Sequence, residues 1–348
     1  MNPYVLAILL SGLGLGTTIT LASSHWLLAW MGLEINTLAI IPLMAQYCHP
    51  RAVEAATKYF LVQATAAAML LFASTTNAWL TGQWEIQQMT HPLPMAMIIA
   101  ALALKIGLAP FHSWMPDVLQ GLDFTTGLIM TTWQKLAPFA LLAQLQPIDT
   151  TVLLVLGLTS TLVGGWGGLN QTQMRKILAY SSIAHLGWML LVLSFSPSLT
   201  LLALIIYFIS TSATFLAFKA SDATTVNALA TSFTKSPAIA VTMALVLLSL
   251  GGLPPLTGFM PKWLILHELI KQDLIPIATI SALTALLSLF FYLRLSYAMT
   301  LTMAPNTVLG MYPWRLQSSQ PMLPLAITSA LALMLLPFTP TAVALLNL

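Results

Sequence analysis

Four charged side chains lie within segments that are otherwise apolar. Glu34 and Lys135 lie deep in two such segments, and Lys105 and Lys262 lie in two more. A charge at the centre of a membrane helix costs about 2.5–3.5 kcal/mol on insertion scales, so residues of this kind usually have a function. Burial disfavours a charged lysine and a nearby carboxylate favours it, so such a group can load and release protons. The pattern indicates proton transfer at membrane depth.

Two histidines extend this set. His112 lies between Pro110 and Pro116, and His185 lies inside another long apolar segment. Imidazole changes its charge near neutral pH, which suits a proton relay. A single histidine in a membrane can instead hydrogen-bond a neighbouring helix, and both interpretations remain open.

The charged residues also have structural explanations. Lys105 and Lys262 could extend their ammonium groups along the helix toward an interface. Glu34 and Lys135 could form a buried ion pair. Because Glu34 is the only acid predicted deep in the first half of the chain, we predict that it interacts with Lys105 across their two helices.

Two related segments hold Lys105 and Lys262. The segment Lys105-Ile-Gly-Leu-Ala-Pro-Phe-His-Ser-Trp-Met-Pro-Asp117 returns, altered, as Leu250-Gly-Gly-Leu-Pro-Pro-Leu-Thr-Gly-Phe-Met-Pro-Lys262, at a constant offset of 145 residues. Proline removes a backbone donor and clashes with the preceding helical turn, so each segment is predicted to be a broken helix. The residues predicted to make the breaks are Gly107, Pro110, Gly252, Pro254 and Pro255. Paired broken helices in two halves of a membrane protein are typical of transport sites.

The composition is that of an integral membrane protein. Of 348 residues, 58% are hydrophobic and 6% are charged, against roughly 25% charged in an average soluble domain. We predict one all-α membrane domain with about eleven transmembrane helices, the fourth and ninth being broken. The predicted helices cover 3–21, 26–46, 58–80, 94–121, 124–144, 149–169, 175–195, 199–219, 237–271, 274–299 and 323–346.

The repeat and the basic residues predict the topology. Residues 1–145 and 146–300 would be two five-helix repeats, followed by a linker and a C-terminal helix in 301–348. Basic residues outside the membrane are predicted to fall mainly on the N-terminal side, which predicts an N-terminus on the interior side. They are Arg51, Lys58, Arg175, Lys176, Lys219, Lys235, Arg294 and Arg315, against Lys271 alone on the other side. The fourth and ninth helices would then run in opposite directions, so the repeats are predicted to be inverted.

Several classes of function are disfavoured. The net charge of +3 is spread over scattered residues, so no nucleic-acid partner is expected. Cys48 is the only cysteine, and the sequence contains neither a nucleotide-binding glycine motif nor histidines at metal-ligand spacing. Any redox cofactor is therefore expected in another chain. The first apolar segment lacks a cleavage site or presequence pattern and is expected to be retained.

The quoted segments, together with Trp30-Met-Gly-Leu-Glu-Ile-Asn36 and Arg175-Lys-Ile-Leu-Ala-Tyr-Ser-Ser-Ile-Ala-His185, resemble the antiporter-like membrane-arm subunits of respiratory NADH:ubiquinone oxidoreductase, in their animal form. The resemblance runs the whole length of the chain. It implies a row of ionisable residues that translocates protons, with the glutamate and lysines of that row at Glu34, Lys105, Lys135 and Lys262. It also implies relatedness to multisubunit sodium/proton antiporters. Bacterial members of the family have fourteen helices, and on this resemblance the chain is expected to lack the equivalent of the first three.

The resemblance also implies a cellular setting. The chain would be a multi-pass protein of the mitochondrial inner membrane, with its N-terminus in the matrix and its C-terminus in the intermembrane space. Its partners would be neighbouring antiporter-like and small membrane subunits and lipids such as cardiolipin. NADH, FMN, iron-sulfur clusters and ubiquinone would bind to other subunits, and this chain would hold no cofactor. An autonomous antiporter and an assembly scaffold with unused charges are the competing hypotheses.

Overall fold

The computed structural model describes residues 2–46, 49–89, 91–145, 150–232, 236–300 and 322–345. Within these ranges the chain is helical, with two isolated β-bridges and no strand, which confirms the all-α prediction. Cys48, Lys235 and Arg315 lie outside the described residues. The chain divides into two compact units, Met1–Leu153 and Leu154–Leu348.

The first unit contains seven helices in its described residues. α1 packs on α2, and α3 packs on α4 and α5. The helices are α1 (Pro3–Ala22), α2 (Trp26–Met44), α3 (Pro50–Thr81), α4 (Pro92–Ile106), α5 (Trp114–Gly121), α6 (Phe124–Thr131) and α7 (Trp133–Gln144).

The second unit follows from within α8 (Thr150–Gly168). α12 packs against α10 and α14, and α15 packs against α10. The remaining helices are α9 (Met174–Leu193), α10 (Pro197–Ser221), α11 (Val226–Ala230), α12 (Pro237–Gly251), α13 (Phe259–Lys271), α14 (Ile275–Thr300), α15 (Leu323–Met334), a 3₁₀ turn (Leu336–Phe338) and α16 (Thr339–Leu345). The short α11 lies in the connection between α10 and α12.

α4 and α12 end in the same way. Each is 15 residues long, begins with proline, and is followed by a glycine with φ of 83°, Gly107 or Gly252. In each case the residue after this glycine donates its N–H to the carbonyl five residues earlier. Leu108 bonds Ala103 in this way, and Leu253 bonds Leu248. Glycine is favoured here because a side chain is strained at this left-handed φ. α5 and α13 then begin at Trp114 and Phe259, again 145 residues apart.

A second local pattern occurs in both units. A short antiparallel bridge joins the residues before α2 to those after α3, with backbone hydrogen bonds from Trp26 to Trp84 and from Ile86 to Ser24. The residues before α9 pair in the same way with those after α10, since Met174 donates to Thr224 and Val226 to Thr172. Each bridge holds the two ends of a helical hairpin together.

Two elements differ from the predicted helices. α3 begins at Pro50 instead of near residue 58, because His49 caps the amide of Arg51 and Glu54 pairs with Lys58 at 2.7 Å across one turn. The predicted helix 124–144 is divided at Thr132 into α6 and α7.

Two features weaken the helix near Thr132. Pro138, inside α7, lacks an amide hydrogen and crowds the carbonyl four residues before it, and two threonines bond the helix backbone. The hydroxyls of Thr131 and Thr132 donate to the carbonyls of Gly127 and Leu128, at 2.9 and 2.7 Å. Such side-chain bonds compete with the helical ladder and often bend helices. The amide of Lys135 bonds the Thr132 carbonyl, three residues back, so α7 starts with a tight turn.

The C-terminal region also departs from one continuous helix over 323–346. α15 and the segment after it are bent by 58°. Pro337 lies in the 3₁₀ turn and lacks the amide hydrogen that would continue the helix. The Thr257 hydroxyl, from the loop between α12 and α13, donates to the Ala332 carbonyl in the last turn of α15.

Seven of the described helices are long and apolar enough to cross a membrane, or eight if the bent C-terminal pair is one span. α4 and α12 are apolar but shorter than a span. Multiple crossings are therefore confirmed, and the count of eleven stays a prediction.

Candidate functional site

Three lysines are buried in the described part of the chain, and each lies in the first or last turn of a helix. Lys105 lies in the last turn of α4, Lys135 in the first turn of α7, and Lys262 in the first turn of α13. Their exposed fractions are 6%, 3% and 9%. Each therefore lies within one turn of a helix end, where backbone groups lack their helical partners.

Lys105 and Lys135 line the same cavity in the first unit. Its volume of about 20 Å³ is large enough for roughly one water molecule. The wall is mixed, since apolar side chains alternate with polar ones; the polar members besides the lysines are Asn36, Thr37, Tyr59, Gln63 and Gln134. Two of the predicted site residues, Lys105 and Lys135, are thus brought together beside space for about one water molecule.

Glu34 lies on α2, next to the part of that helix that lines this cavity. Its carboxylate is close enough to interact electrostatically with Lys105, but no direct ion pair joins these two residues. One carboxylate oxygen of Glu34 and the Lys105 ammonium are both buried without a hydrogen-bond partner within the protein. The two groups therefore influence each other across a gap.

Neighbouring helices satisfy the backbone at the end of α4. The Gln63 amide of α3 donates to the Lys105 carbonyl at 3.3 Å, and the Trp114 indole of α5 donates to the Leu104 carbonyl at 3.1 Å. These carbonyls have lost their helical donors because the chain turns at Gly107. His112 is half-buried in the loop that follows, and Pro110 in the same loop is exposed.

Lys262 satisfies the corresponding helix end in the second unit. Its ammonium donates to the carbonyl of Gly251, the last residue of α12, at 2.7 Å. A Cβ at Gly252 would lie 2.9 Å from the Lys262 nitrogen, so the absence of a side chain there makes room for the lysine. Pro254 and Pro255 follow in the loop and are exposed.

His185 and Lys262 line a second cavity of about 20 Å³. His185 comes from α9, and its ring lies 5.7 Å from the ring of Tyr207 of α10, measured between centroids. Tyr207 and Ser210 also line this cavity. The second unit thus repeats the combination of a buried lysine, polar side chains and space for one water.

The structure adds residues that the sequence reasoning missed. Gln63, Tyr207 and Thr257 are buried polar side chains that reach a helix end or a cavity. Their only signal in the sequence is a polar atom within an apolar segment, which many serines and threonines of this chain share. Among the described residues, no group of three or more His, Cys, Asp or Glu side chains could hold a metal ion.

Comparison with known proteins gives two family matches. The model described as NADH:quinone oxidoreductase/Mrp antiporter, TM, matches residues 23–288, and the model described as NADH dehydrogenase subunit 2 C-terminus matches residues 289–343. NADH-ubiquinone oxidoreductase chain 2 of Tetraodon nigroviridis is 71% identical over 348 residues, and that of Salmo salar is 68% identical over 349 residues. Each match covers 100% of both chains.

Solved structures agree with these matches. A chain from respiratory complex I of Thermus thermophilus with bound aureothin is 28% identical, with a TM-score of 0.83 over 98% of this chain and 80% of that one. A chain of the Mrp complex from Dietzia sp. DQ12-45-1b has a TM-score of 0.81 at 18% identity, covering 95% of this chain and 74% of that one, and shows the shared fold alone.

These matches confirm the resemblance that the sequence motifs carry. They extend over both units and through the C-terminal helices. The chain therefore belongs to the NADH:quinone oxidoreductase/Mrp antiporter transmembrane family and, within it, to the chain 2 subunits of NADH-ubiquinone oxidoreductase.

Proposed function

We propose that this membrane subunit conducts protons through Glu34, Lys105, Lys135, His112, His185 and Lys262. Their charge states change when redox chemistry in other subunits drives the complex. The observation that carries this proposal is that the three lysines buried among the described residues each lie within one turn of a helix interruption. A lysine at such a place can meet a carbonyl or a water at membrane depth, and it can change its charge there.

The energetics support a functional row over unused charges. Buried lysines and a buried carboxylate are costly in a membrane, at about 2.5–3.5 kcal/mol each on insertion scales. Apolar residues of similar volume often replace buried ion pairs without loss of stability. The charges are thus poor choices for holding the helices together, and proton transfer accounts for their presence.

We further propose that the fold consists of eleven spans, in two inverted repeats over 1–145 and 146–300 with a C-terminal helix after them. The matched bounds of α4 and α12, the matched glycines Gly107 and Gly252, and the two similar β-bridges support the repeat. Inversion rests on the distribution of basic residues. The same distribution supports an N-terminus in the matrix and a C-terminus in the intermembrane space.

The proposed setting is the mitochondrial inner membrane. Large apolar side chains remain exposed in both units, for example Trp79 at 86% and Trp166 at 71%, and such surfaces suit lipids and other membrane subunits. We propose neighbouring antiporter-like and small membrane subunits as protein partners, and lipids such as cardiolipin as further ones. NADH, FMN, iron-sulfur clusters and ubiquinone bind to other subunits in this proposal.

An autonomous antiporter is the second candidate, because the family model that matches residues 23–288 is described as covering antiporters as well. Purification separates the two candidates. A subunit of the complex should be recovered with a large assembly that oxidises NADH, and it should be inert alone in liposomes. Cation-proton exchange by the isolated chain would instead support the antiporter.

Substitution tests the proton row itself. In the assembled complex, Lys105→Met and Lys262→Met should each slow NADH-driven proton uptake and quinone reduction by about ten-fold or more, which is within the usual effect of removing a proton-transfer group. Lys271→Met is the matched control, because Lys271 is exposed and paired with Glu268 at 3.4 Å. Normal rates in both Met variants, with the complex assembled, would overturn the proposal.

A further inference from the structure

Tyr207 is a buried residue of α10 that lies beside the second cavity. It is 2% exposed, and its ring is tilted by 42° against the imidazole of His185 at a centroid distance of 5.7 Å. Both rings face the space that Lys262 also lines. The tyrosine is therefore in direct contact with one predicted proton carrier and shares a cavity with another.

The hydroxyl of Tyr207 is bonded to Ser182 of α9. The Ser182 hydroxyl also lies within hydrogen-bond distance of the Ala179 carbonyl, at 2.7 Å. The Tyr207–Ser182 hydrogen bond thus joins α10 to α9. This bond fixes the ring of Tyr207 to the helix that carries His185.

Ser182 and His185 are three residues apart on α9, so they lie on the same face of that helix. Tyr207 contacts both residues on this side of α9. Its hydroxyl bonds Ser182, and its ring packs at a tilt against the ring of His185. An imidazole held in this way has fewer orientations available. His185 and Lys262 line the same cavity, which has room for about one water molecule.

We infer that Tyr207 is a positioning residue for proton transfer between His185 and Lys262. Its hydrogen bond to Ser182 fixes the ring, and the ring orients the imidazole toward the shared cavity. No bond is made or broken at Tyr207, and the proton passes between the imidazole, the cavity water and the lysine amine. The inference rests on the proposed function, because it assigns Tyr207 a role only if His185 and Lys262 carry protons.

The test uses Tyr207→Phe, Ser182→Ala and the double variant in the assembled complex. Each single variant removes one partner of the same hydrogen bond. Loss of such a bond typically changes a rate by about two- to ten-fold. We expect proton uptake and quinone reduction per assembled complex to fall by this factor. The double variant should be no slower than the slower single variant, because one interaction is lost in all three.

A solvent isotope effect separates positioning from a purely structural role. If Tyr207 assists a proton transfer, Tyr207→Phe should make that step more rate-limiting and raise the ratio of turnover in H₂O to that in D₂O. A packing defect would lower the amount of assembled complex and leave this ratio unchanged. Tyr297→Phe is the matched control, since Tyr297 lies on α14 and is 55% exposed.

Three results would overturn the inference. They are unchanged turnover in Tyr207→Phe, a loss explained entirely by reduced assembly, and multiplied losses in the double variant. Lys262→Met in the same experiment keeps the two proposals apart. Slow Lys262→Met with normal Tyr207→Phe rejects the role of Tyr207 alone, whereas normal rates in both variants also reject the role of Lys262 in proton transfer.

Discussion

The Lys262 ammonium lies 2.7 Å from the Gly251 carbonyl oxygen and donates a hydrogen bond to it, so this lysine binds the C-terminal end of α12 from the next helix. The C-terminal end of a helix carries a partial negative charge of about half an electron. A charged Lys262 is thus attracted to the end of α12. A neutral Lys262 would keep the hydrogen bond and lose most of that attraction.

This contact predicts the behaviour of Lys262→Arg. The guanidinium keeps the positive charge and can still donate to a carbonyl, but it stays protonated at physiological pH. We expect the complex to assemble and quinone reduction to slow by about ten-fold or more. Normal turnover, measured per assembled complex, would show that a fixed charge is sufficient at this position.

Gly252→Ala should disturb the same contact. The new methyl group would lie 2.9 Å from the side-chain carbon Cδ and the nitrogen of Lys262, at a φ of 83° that side chains disfavour. A strain of this kind costs of the order of 1–3 kcal/mol, so we expect lower thermal stability of the complex and slower turnover. In Gly14→Ala, the control, the new methyl group meets no atom within 4 Å, and stability should be unchanged or slightly higher. Equal behaviour of the two variants would contradict the role of Gly252.

Lys135 tests whether a titratable group is needed in the first unit. Lys135→Met should leave the complex assembled, because a linear apolar side chain of similar length fills the site and removes a buried charge. Turnover should nevertheless drop, and Lys135→Arg should impair it too, because arginine does not release its proton. The measurement is NADH-driven quinone reduction with proton uptake. Under the scaffold hypothesis arginine would be tolerated, and any harm from methionine would come through lost assembly.

Glu34→Gln removes a charge and keeps the shape of the side chain. Because Glu34 influences Lys105 without a direct bond, we expect little change in assembly and a slower coupled turnover. The double variant Glu34→Gln with Lys105→Met should be about as slow as the slower single variant. Losses that multiply in the double variant would show that the two residues act independently.

Thr257 links the loop between α12 and α13 to the C-terminal helix through the Ala332 carbonyl. Thr257→Val keeps the shape and leaves a buried acceptor without its partner, at a cost of about 1–3 kcal/mol. We expect a lower thermal stability for this variant and near-normal stability for Thr257→Ser, which retains the hydroxyl. Equal melting temperatures of the complex in both variants would contradict the role of this hydrogen bond.

Helix ends could be predicted from the sequence where the residue types themselves impose the backbone geometry. Glycine and proline mark the ends of α4 and α12, because few other residues tolerate a left-handed φ or end a helix so reliably. The division at Thr132 was missed, because threonines bond to their own helix backbone in many places without breaking it. The start of α3 at Pro50 was missed because a hydropathy window ends where polar residues begin.

Contacts between separate helices could not be predicted in this way. The bond from Lys262 to Gly251 requires the turn at Gly252, and the bond from Thr257 to Ala332 joins residues 75 positions apart. The pairing of Tyr207 with His185 depends on how α9 and α10 pack. The charged residues were recognisable because they are rare in apolar segments, whereas their cavities arise from packing.

The length of α12 has an electrical consequence. Its 15 residues rise about 22 Å, so a helix that starts at the surface of a hydrocarbon core of roughly 30 Å ends well inside it. A proton that reaches Lys262 at this end has crossed only part of the membrane potential. Since a full crossing of 100 mV is worth about 2.3 kcal/mol per charge, a larger voltage should change how readily this lysine is protonated. The membrane voltage would then act directly on proton binding at this helix end, which is one step of the proton's path.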